Sequence, residues 1–125
     1  MMTFRAEVEH IGTTAVLRMA GDLDATADTA LLDAHTKAVA DDPRSLTLDF
    51  SGVDYINSSG IALVVTLLTE ARGAHRTVRA RGLSAHYRHI FEITRLSEYL
   101  TFDDDGNGGP ADDSPARATG GTTRA

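Results

Sequence analysis

Two short runs near the start of the chain, Phe4 to Glu9 and Thr14 to Met19, read as strands, with the turn-like segment Ile11-Gly12-Thr13 between them. So short a link makes them an antiparallel pair. From Thr26 to Val39 the spacing changes: Ala27, Ala30, Leu31, Ala34 and Ala38 recur at helical intervals. A first helix is predicted there, with Thr26 able to cap it. Asp41-Asp42-Pro43 ends it, because proline cannot continue a helix and biases the residue before it towards extended backbone.

Ser45 to Phe50 alternates, with Leu46, Leu48 and Phe50 on one face, and so marks a strand. Ser51 to Asn57 reads as a loop. A second helix is predicted from Ser59 to Arg72, closed by Gly73, and Thr77 to Ala80 supplies another strand. Ser84 is placed to cap a third helix that carries Tyr87, Ile90, Phe91 and Ile93, and Tyr99 to Phe102 gives a short last strand. The order is strand, strand, helix, strand, helix, strand, helix, strand. Each strand–helix–strand unit favours a parallel pair joined by a right-handed crossover. The predicted fold is therefore α/β, a mixed and mainly parallel β-sheet with helices packed on it.

The second helix is apolar nearly all round. Ile61, Val64, Val65 and Leu68 form one stripe, and Leu63, Leu67 and Ala71 a neighbouring one. Such a helix is either sunk in a wide core or met by a partner.

Composition narrows the picture. A chain of 125 residues, 42% of them apolar, fits one globular domain without repeats. Beyond Phe102 there is no large apolar residue to bury, so the domain is expected at 2–102 and a disordered tail at 103–125. That tail holds five Asp and two Arg, which is −3 of the chain's formal −6. An acidic balance excludes an ordinary nucleic-acid binder, which carries a basic patch. There is no cysteine, hence no disulfide and no thiolate metal site. Arg5, Glu7 and Glu9 stand where a signal peptide needs an apolar core, and the stretch Ile61 to Leu68 is too short to span a membrane. These features lead to the expectation of a cytoplasmic protein with no membrane insertion.

Candidate chemistry gathers at Asn57-Ser58-Ser59-Gly60, just before the second helix. A serine here can be a helix cap, because its hydroxyl can accept a hydrogen bond from an amide of the first turn. The same position suits a modified serine, since a helix N-terminus offers free amides and a positive dipole end to an anion. A phosphate there would add about −1.5 to −2 charges beside the apolar stripe and alter a partner interface by repulsion and desolvation.

Gly21-Asp22-Leu23-Asp24, the strand Leu46 to Phe50 and Tyr55-Ile56-Asn57-Ser58-Ser59-Gly60-Ile61, in this order and spacing, resemble the STAS domain family in its anti-sigma-factor antagonist branch. The resemblance covers nearly all of 4–102. It implies a partner-switching protein that is not an enzyme and needs no cofactor. Unphosphorylated, such a protein binds an anti-sigma factor with a serine-kinase fold and frees a sigma factor. Phosphorylation by that kinase switches it off, and a serine phosphatase can reset it. Matched position by position, the resemblance makes Ser58 the phosphoacceptor and places Asp22, Leu23, Asp24, Asn57, Ser59, Gly60, Ile61 and Leu63 at the partner surface. Asn57 stands where many phosphorylated members have Asp, and Ala62 where a second glycine is frequent. A rival within the family is a scaffold subunit of a sensor assembly or transport complex that is never phosphorylated.

Other chemistries find less support. A serine nucleophile would need a base among His10, His35, His75, His86 and His89, and Ile56 occupies the first glycine position of a Gly-x-Ser-x-Gly elbow. His86 and His89 lack an evident third metal ligand. Asp103-Asp104-Asp105-Gly106-Asn107-Gly108 begins like a calcium loop, but Ser114 occupies the place of its bidentate Glu.

Overall fold

The computed structural model describes residues 2–103. Strands β1 (Arg5–Ile11) and β2 (Thr14–Leu23) form the hairpin, and Gly12 takes φ +59 in its two-residue turn. Then follow α1 (Asp28–Val39), β3 (Ser45–Ile56), α2 (Ser58–Gly73), β4 (Thr77–Arg81), α3 (Ala85–Ile93) and β5 (Thr101–Asp103). Short 3-10 turns occupy Ala25–Ala27 and Leu96–Glu98. The five strands lie in chain order, β1 antiparallel to β2 and the others parallel. This is the α/β architecture and element order expected from the sequence.

Right-handed crossovers between successive neighbours put every helix on one face of the sheet. On that face Ala15, Leu17 and Met19 of β2, Leu46, Leu48 and Phe50 of β3, and Val78 and Ala80 of β4 are buried. Leu31, Ala34 and Ala38 of α1 and Val64, Leu67, Leu68 and Ala71 of α2 close over them in one core. Phe91 of α3 meets Phe50 edge to face, with ring centroids 5.9 Å apart. The other face is mainly polar, although Val16 and Thr47 within it are buried. Across it Glu7, Arg18, Asp49, Arg81 and Asp103 stand in register, one from each strand, with alternating charge. Burial alone would raise the pKa of Asp49, but the Ser51 hydroxyl and amide and the Arg81 guanidinium outweigh it and hold the carboxyl below its usual value.

Several boundaries differ from the sequence reading. The segment Ser51 to Asn57, expected as a loop, continues β3 to Ile56, because Gly52, Val53, Tyr55 and Ile56 pair with Ala20 to Leu23 of a longer β2. At two register shifts, between Arg18 and Ala20 and between Gly21 and Asp22, β3 carries one more residue than β2, and these bulges bend β3 along its partner. The first helix begins at Asp28, after a 3-10 turn, and not at Thr26. Gly73 is the last residue of α2 without being its left-handed stop. That conformation falls on His75, at φ +59, where the chain turns into β4. The last strand starts at Thr101, because Leu96–Glu98 forms a turn, and takes in Asp103 by pairing it with Arg81. The remainder of the expected tail, with most of the calcium-like run, lies outside the described residues.

Candidate protein-binding site

The parallel pairing of β2 and β3 brings their carboxyl ends to one rim, with Asp22 beside Tyr55 and Leu23 beside Ile56. The Asn57 N–H then donates to the Leu23 carbonyl at 3.3 Å, and α2 starts at the next residue. The acidic segment Asp22 to Asp24 and the serine segment Asn57 to Ile61, far apart in sequence, are therefore neighbours. Carboxyl ends of parallel strands are where α/β folds usually place their sites.

At the head of α2 the cap is Asn57, not either serine. Its backbone is extended, at φ −107 and ψ −175, and its Oδ1 accepts from the Gly60 N–H at 3.0 Å. Its carbonyl accepts from the Ile61 N–H at 3.0 Å. Asn57 takes the role because it is the last residue before the chain enters helical backbone, and only that position aims a side-chain oxygen at the first turn. Ser58 and Ser59 follow inside the helix and are exposed. Neither hydroxyl makes a hydrogen bond among the described residues. Their amides have no carbonyl one turn earlier to bond, so the positive end of the helix is presented beside both hydroxyls.

The acidic segment is held as firmly. Oδ1 of Asp24 accepts from the Thr26 N–H at 2.9 Å and from its hydroxyl at 2.6 Å, so Asp24 caps the 3-10 turn in place of the expected Thr26. Asp22 is clamped to the start of the chain: its N–H donates to the Met2 carbonyl at 3.0 Å, and its Oδ2 accepts from the Met2 N–H at 3.2 Å. Gly21 makes room for this crossing, since a Cβ there would stand 2.3 Å from the Thr3 carbonyl oxygen.

Among the residues singled out from the sequence, Ser58 and Ser59 are exposed, and Asp22, Asp24, Asn57, Ile61 and Leu63 are half-buried. Leu23 and Gly60 are buried and have no side-chain surface to offer. They shape the site from beneath. Tyr55 stands in the sequence motif without being assigned to the partner surface, yet it is 49% exposed on the rim beside Asp22. Reading Ser51 to Asn57 as a loop hides it, and the bulge that pairs Val53 and Tyr55 with the consecutive residues Gly21 and Asp22 leaves no regular alternation to mark the continued strand. On the inner side the Ile56 N–H donates to the Tyr87 hydroxyl at 3.0 Å, which ties α3 to the same rim.

No histidine hydrogen-bonds Ser58 or Ser59 among the described residues. His10 lies with Nε2 3.2 Å from the Ala38 carbonyl oxygen, and His35 is buried in the core side of α1. The described residues contain no group of three His, Cys, Asp or Glu side chains spaced to hold a metal ion. What the rim offers is a surface: two carboxylates, a half-exposed tyrosine, two unengaged serine hydroxyls and a helix N-terminus.

A family model described as "Mlab, STAS domain" matches residues 6–101. Solved structures share the fold. An anti-sigma factor antagonist from Mycobacterium paratuberculosis is 24% identical, with 84% of this chain and 89% of that one covered at a TM-score of 0.67. The anti-sigma factor antagonist SpoIIAA in its unphosphorylated form is 19% identical, covering 82% and 90% at 0.64, and the Bacillus SpoIIAA in its phosphorylated form matches at 0.63. A sulfate transporter family protein from Wolinella succinogenes is 12% identical, covering 78% and 82% at 0.64. A search of curated protein sequences found no match.

Proposed function

Because the chain belongs to the STAS domain family, we propose that it is an anti-sigma-factor antagonist: unphosphorylated, it captures an anti-sigma factor of serine-kinase fold and frees a sigma factor, and phosphorylation at Ser58 switches it off. The observation that carries this reading is the Ser58 hydroxyl, exposed at the head of α2 and not used by the fold. Since Asn57 caps the helix, a phosphate on Ser58 removes no structural bond. The helix amides tolerate it locally. Seen from a partner, however, about −1.5 to −2 charges join the carboxylates of Asp22 and Asp24 on one rim. A surface that a partner must dehydrate becomes one it is repelled from, while the fold stays as it is.

The contact surface in this reading comprises Asp22, Asp24, Asn57 and Ser59, with Ile61 and Leu63 at its apolar edge and Tyr55 added. Leu23 and Gly60 contribute shape. The protein acts as a binding module in the cytoplasm, with a kinase and a serine phosphatase supplying the chemistry. No helix among the described residues is long and apolar enough to cross a membrane. The likeness to SpoIIAA, solved with and without phosphate, supports the reading.

A second reading is a STAS scaffold that is never phosphorylated. It draws on the shared fold of the Wolinella transporter family protein and on Asn57 standing where an aspartate is frequent. The deciding experiment incubates the full chain with each kinase-fold anti-sigma factor of the same genome, Mg²⁺ and ATP, and maps phosphate by mass spectrometry. One phosphate on Ser58 is expected. No modification by a partner that binds overturns the switch in favour of the scaffold, and modification confined to Ser59 overturns Ser58 as the switch residue.

A further inference from the structure

The exposed side of α2 does not end at Ser58. Ser58, Ala62, Val65, Thr69 and Arg72 recur at intervals of four and three and are all exposed. That spacing places them on one stripe of the helix, about 21 Å long at 1.5 Å per residue. Its far half borders a groove between α2 and the Leu96–Glu98 turn, a cleft of about 330 Å³ lined by Val65, Leu68, Thr69, Arg72, Leu96 and Tyr99. A second lobe of about 400 Å³ continues past Leu68, Arg72 and Tyr99 towards the start of β4 and β5.

The first lobe is mainly apolar with one charge to spare, and the second is lined as well by Arg76, Thr77, Glu98 and Thr101. Val65 and Tyr99 are 39% and 47% exposed, large residues left open to water above the buried Leu68 and Leu96. The Arg72 guanidinium lies 5.1 Å from the Tyr99 ring centroid and makes no salt bridge among the described residues. The other charged groups around the groove are engaged: Glu98 accepts from Arg95 at 2.7 Å, and Arg76 donates to Asp42 at 2.6 Å and to the Pro43 carbonyl at 2.9 Å. A tyrosine and an arginine at the centre of an apolar depression are the residue types that dominate interface energetics.

We propose that this groove is the second half of the partner interface and that it seats an amphipathic helix of the anti-sigma factor. An apolar ridge of that helix would lie over Val65, Leu68 and Tyr99, and a carboxylate would pair with Arg72. The charge selects the occupant: an arginine without an ion pair among apolar walls is matched by an acidic, apolar-ridged segment. Together with the Ser58 rim, the stripe gives the contact a length suited to a standard interface of roughly 800 Å² per partner. The inference rests on the proposed function.

The full chain lacks cysteine, so Thr69→Cys introduces a single thiol in the groove, and Arg79→Cys a control on the open face of the sheet. Maleimide labelling of each is followed with and without the kinase-fold anti-sigma factor that binds the parent chain. Affinities of Val65→Glu, Arg72→Glu and Arg72→Lys are titrated in parallel, after circular dichroism shows them folded. Expected are labelling of Thr69→Cys slowed about tenfold or more by the partner with Arg79→Cys unaffected, affinity losses of about tenfold for the two glutamate variants, and a smaller loss for Arg72→Lys. Undiminished affinity in both glutamate variants, or unprotected Thr69→Cys, overturns the groove and leaves the Ser58 switch standing. Protection of Thr69→Cys without any partner assigns the groove to a second copy and also overturns it. If no kinase-fold protein binds the parent chain, the proposed function falls and the groove assignment falls with it.

Discussion

The Leu23 carbonyl oxygen lies 2.0 Å from the point where a Cβ on Gly60 would stand. The same oxygen accepts the Asn57 N–H, so the end of β2 and the first turn of α2 are in direct backbone contact. That contact brings Ser58 to the rim that carries Asp22 and Asp24. Glycine is needed at position 60 for closeness and not for a left-handed backbone, since Gly60 lies within the helix.

Gly60→Ala is therefore expected to destabilise the protein by about 1–3 kcal/mol, the scale of overpacking where backbone cannot yield. Gly73, at the other end of the same helix, has nothing within 4 Å of a built Cβ, and its φ is not positive. Gly73→Ala should instead stabilise by up to about 1 kcal/mol, through helix propensity and a less flexible unfolded chain. Urea unfolding of the pair checks both signs.

The capping assignment separates three adjacent polar residues. Asn57→Ala removes the acceptor of the Gly60 amide and is expected to cost about 0.5–2 kcal/mol. Ser58→Ala and Ser59→Ala remove hydroxyls without partners among the described residues, and each should change stability by less than about 0.5 kcal/mol. Asn57→Asp keeps an acceptor and favours the helix dipole, so its stability should match the parent. Thermal melts of the four variants are sufficient; a loss for Ser58→Ala as large as for Asn57→Ala would refute the assignment.

Much of this site was legible in the sequence, and the missing parts share a cause. The strands and helices were found because alternation and helical spacing are local signals, and the order of elements then constrained the sheet. The extension of β3 to Ile56 was not, because it depends on irregular, bulged pairing with the end of β2 some thirty residues earlier in the chain. Asn57, Ser58 and Ser59 are all capable caps by residue type, and only the point where extended backbone gives way to helix chooses among them. Likewise His75, and not Gly73, takes the left-handed position because Arg76 and Thr77 must turn back to pair with Ala71 and Arg44. The groove at Arg72 and Tyr99 joins elements from two regions of the chain, and no single window contains it.

His35 makes stability pH-dependent. It is buried on α1, and its Nε2 has no hydrogen-bond partner among the described residues. Burial lowers its pKa, the Glu70 carboxylate opposes that shift, and the Arg76 guanidinium adds to it. With the folded value below the usual one near 6.5, the unfolded chain binds the proton first as pH falls. Stability is thus fully expressed above about pH 6.5 and declines as pH drops through the histidine range. Denaturant midpoints measured between about pH 7 and pH 5 should fall in the parent and fall less in His35→Leu. Parallel profiles for the two proteins would assign the pH dependence to other groups.

The comparison of Ser58→Ala with Ser58→Asp bears most directly on the mechanism. Alanine removes a hydroxyl that α2 does not use, so folding and binding to the anti-sigma factor should both persist. Aspartate at the first helical position is favoured by the dipole, so the fold should survive that change too. Its charge, however, would stand beside Asp22 and Asp24 on a surface that must shed water, where an unpaired ion typically costs several kcal/mol. Affinity should therefore drop sharply for Ser58→Asp alone. Complete reversal from 1:99 to 99:1 requires about 5.5 kcal/mol, and the dianionic phosphate should come nearer to it than the single charge of aspartate. Phosphorylated parent, Ser58→Asp and Ser58→Ala should accordingly rank from weakest to tightest in titration calorimetry. Equal affinity of Ser58→Asp and the parent, with both shown folded, would leave the scaffold reading in place of the switch.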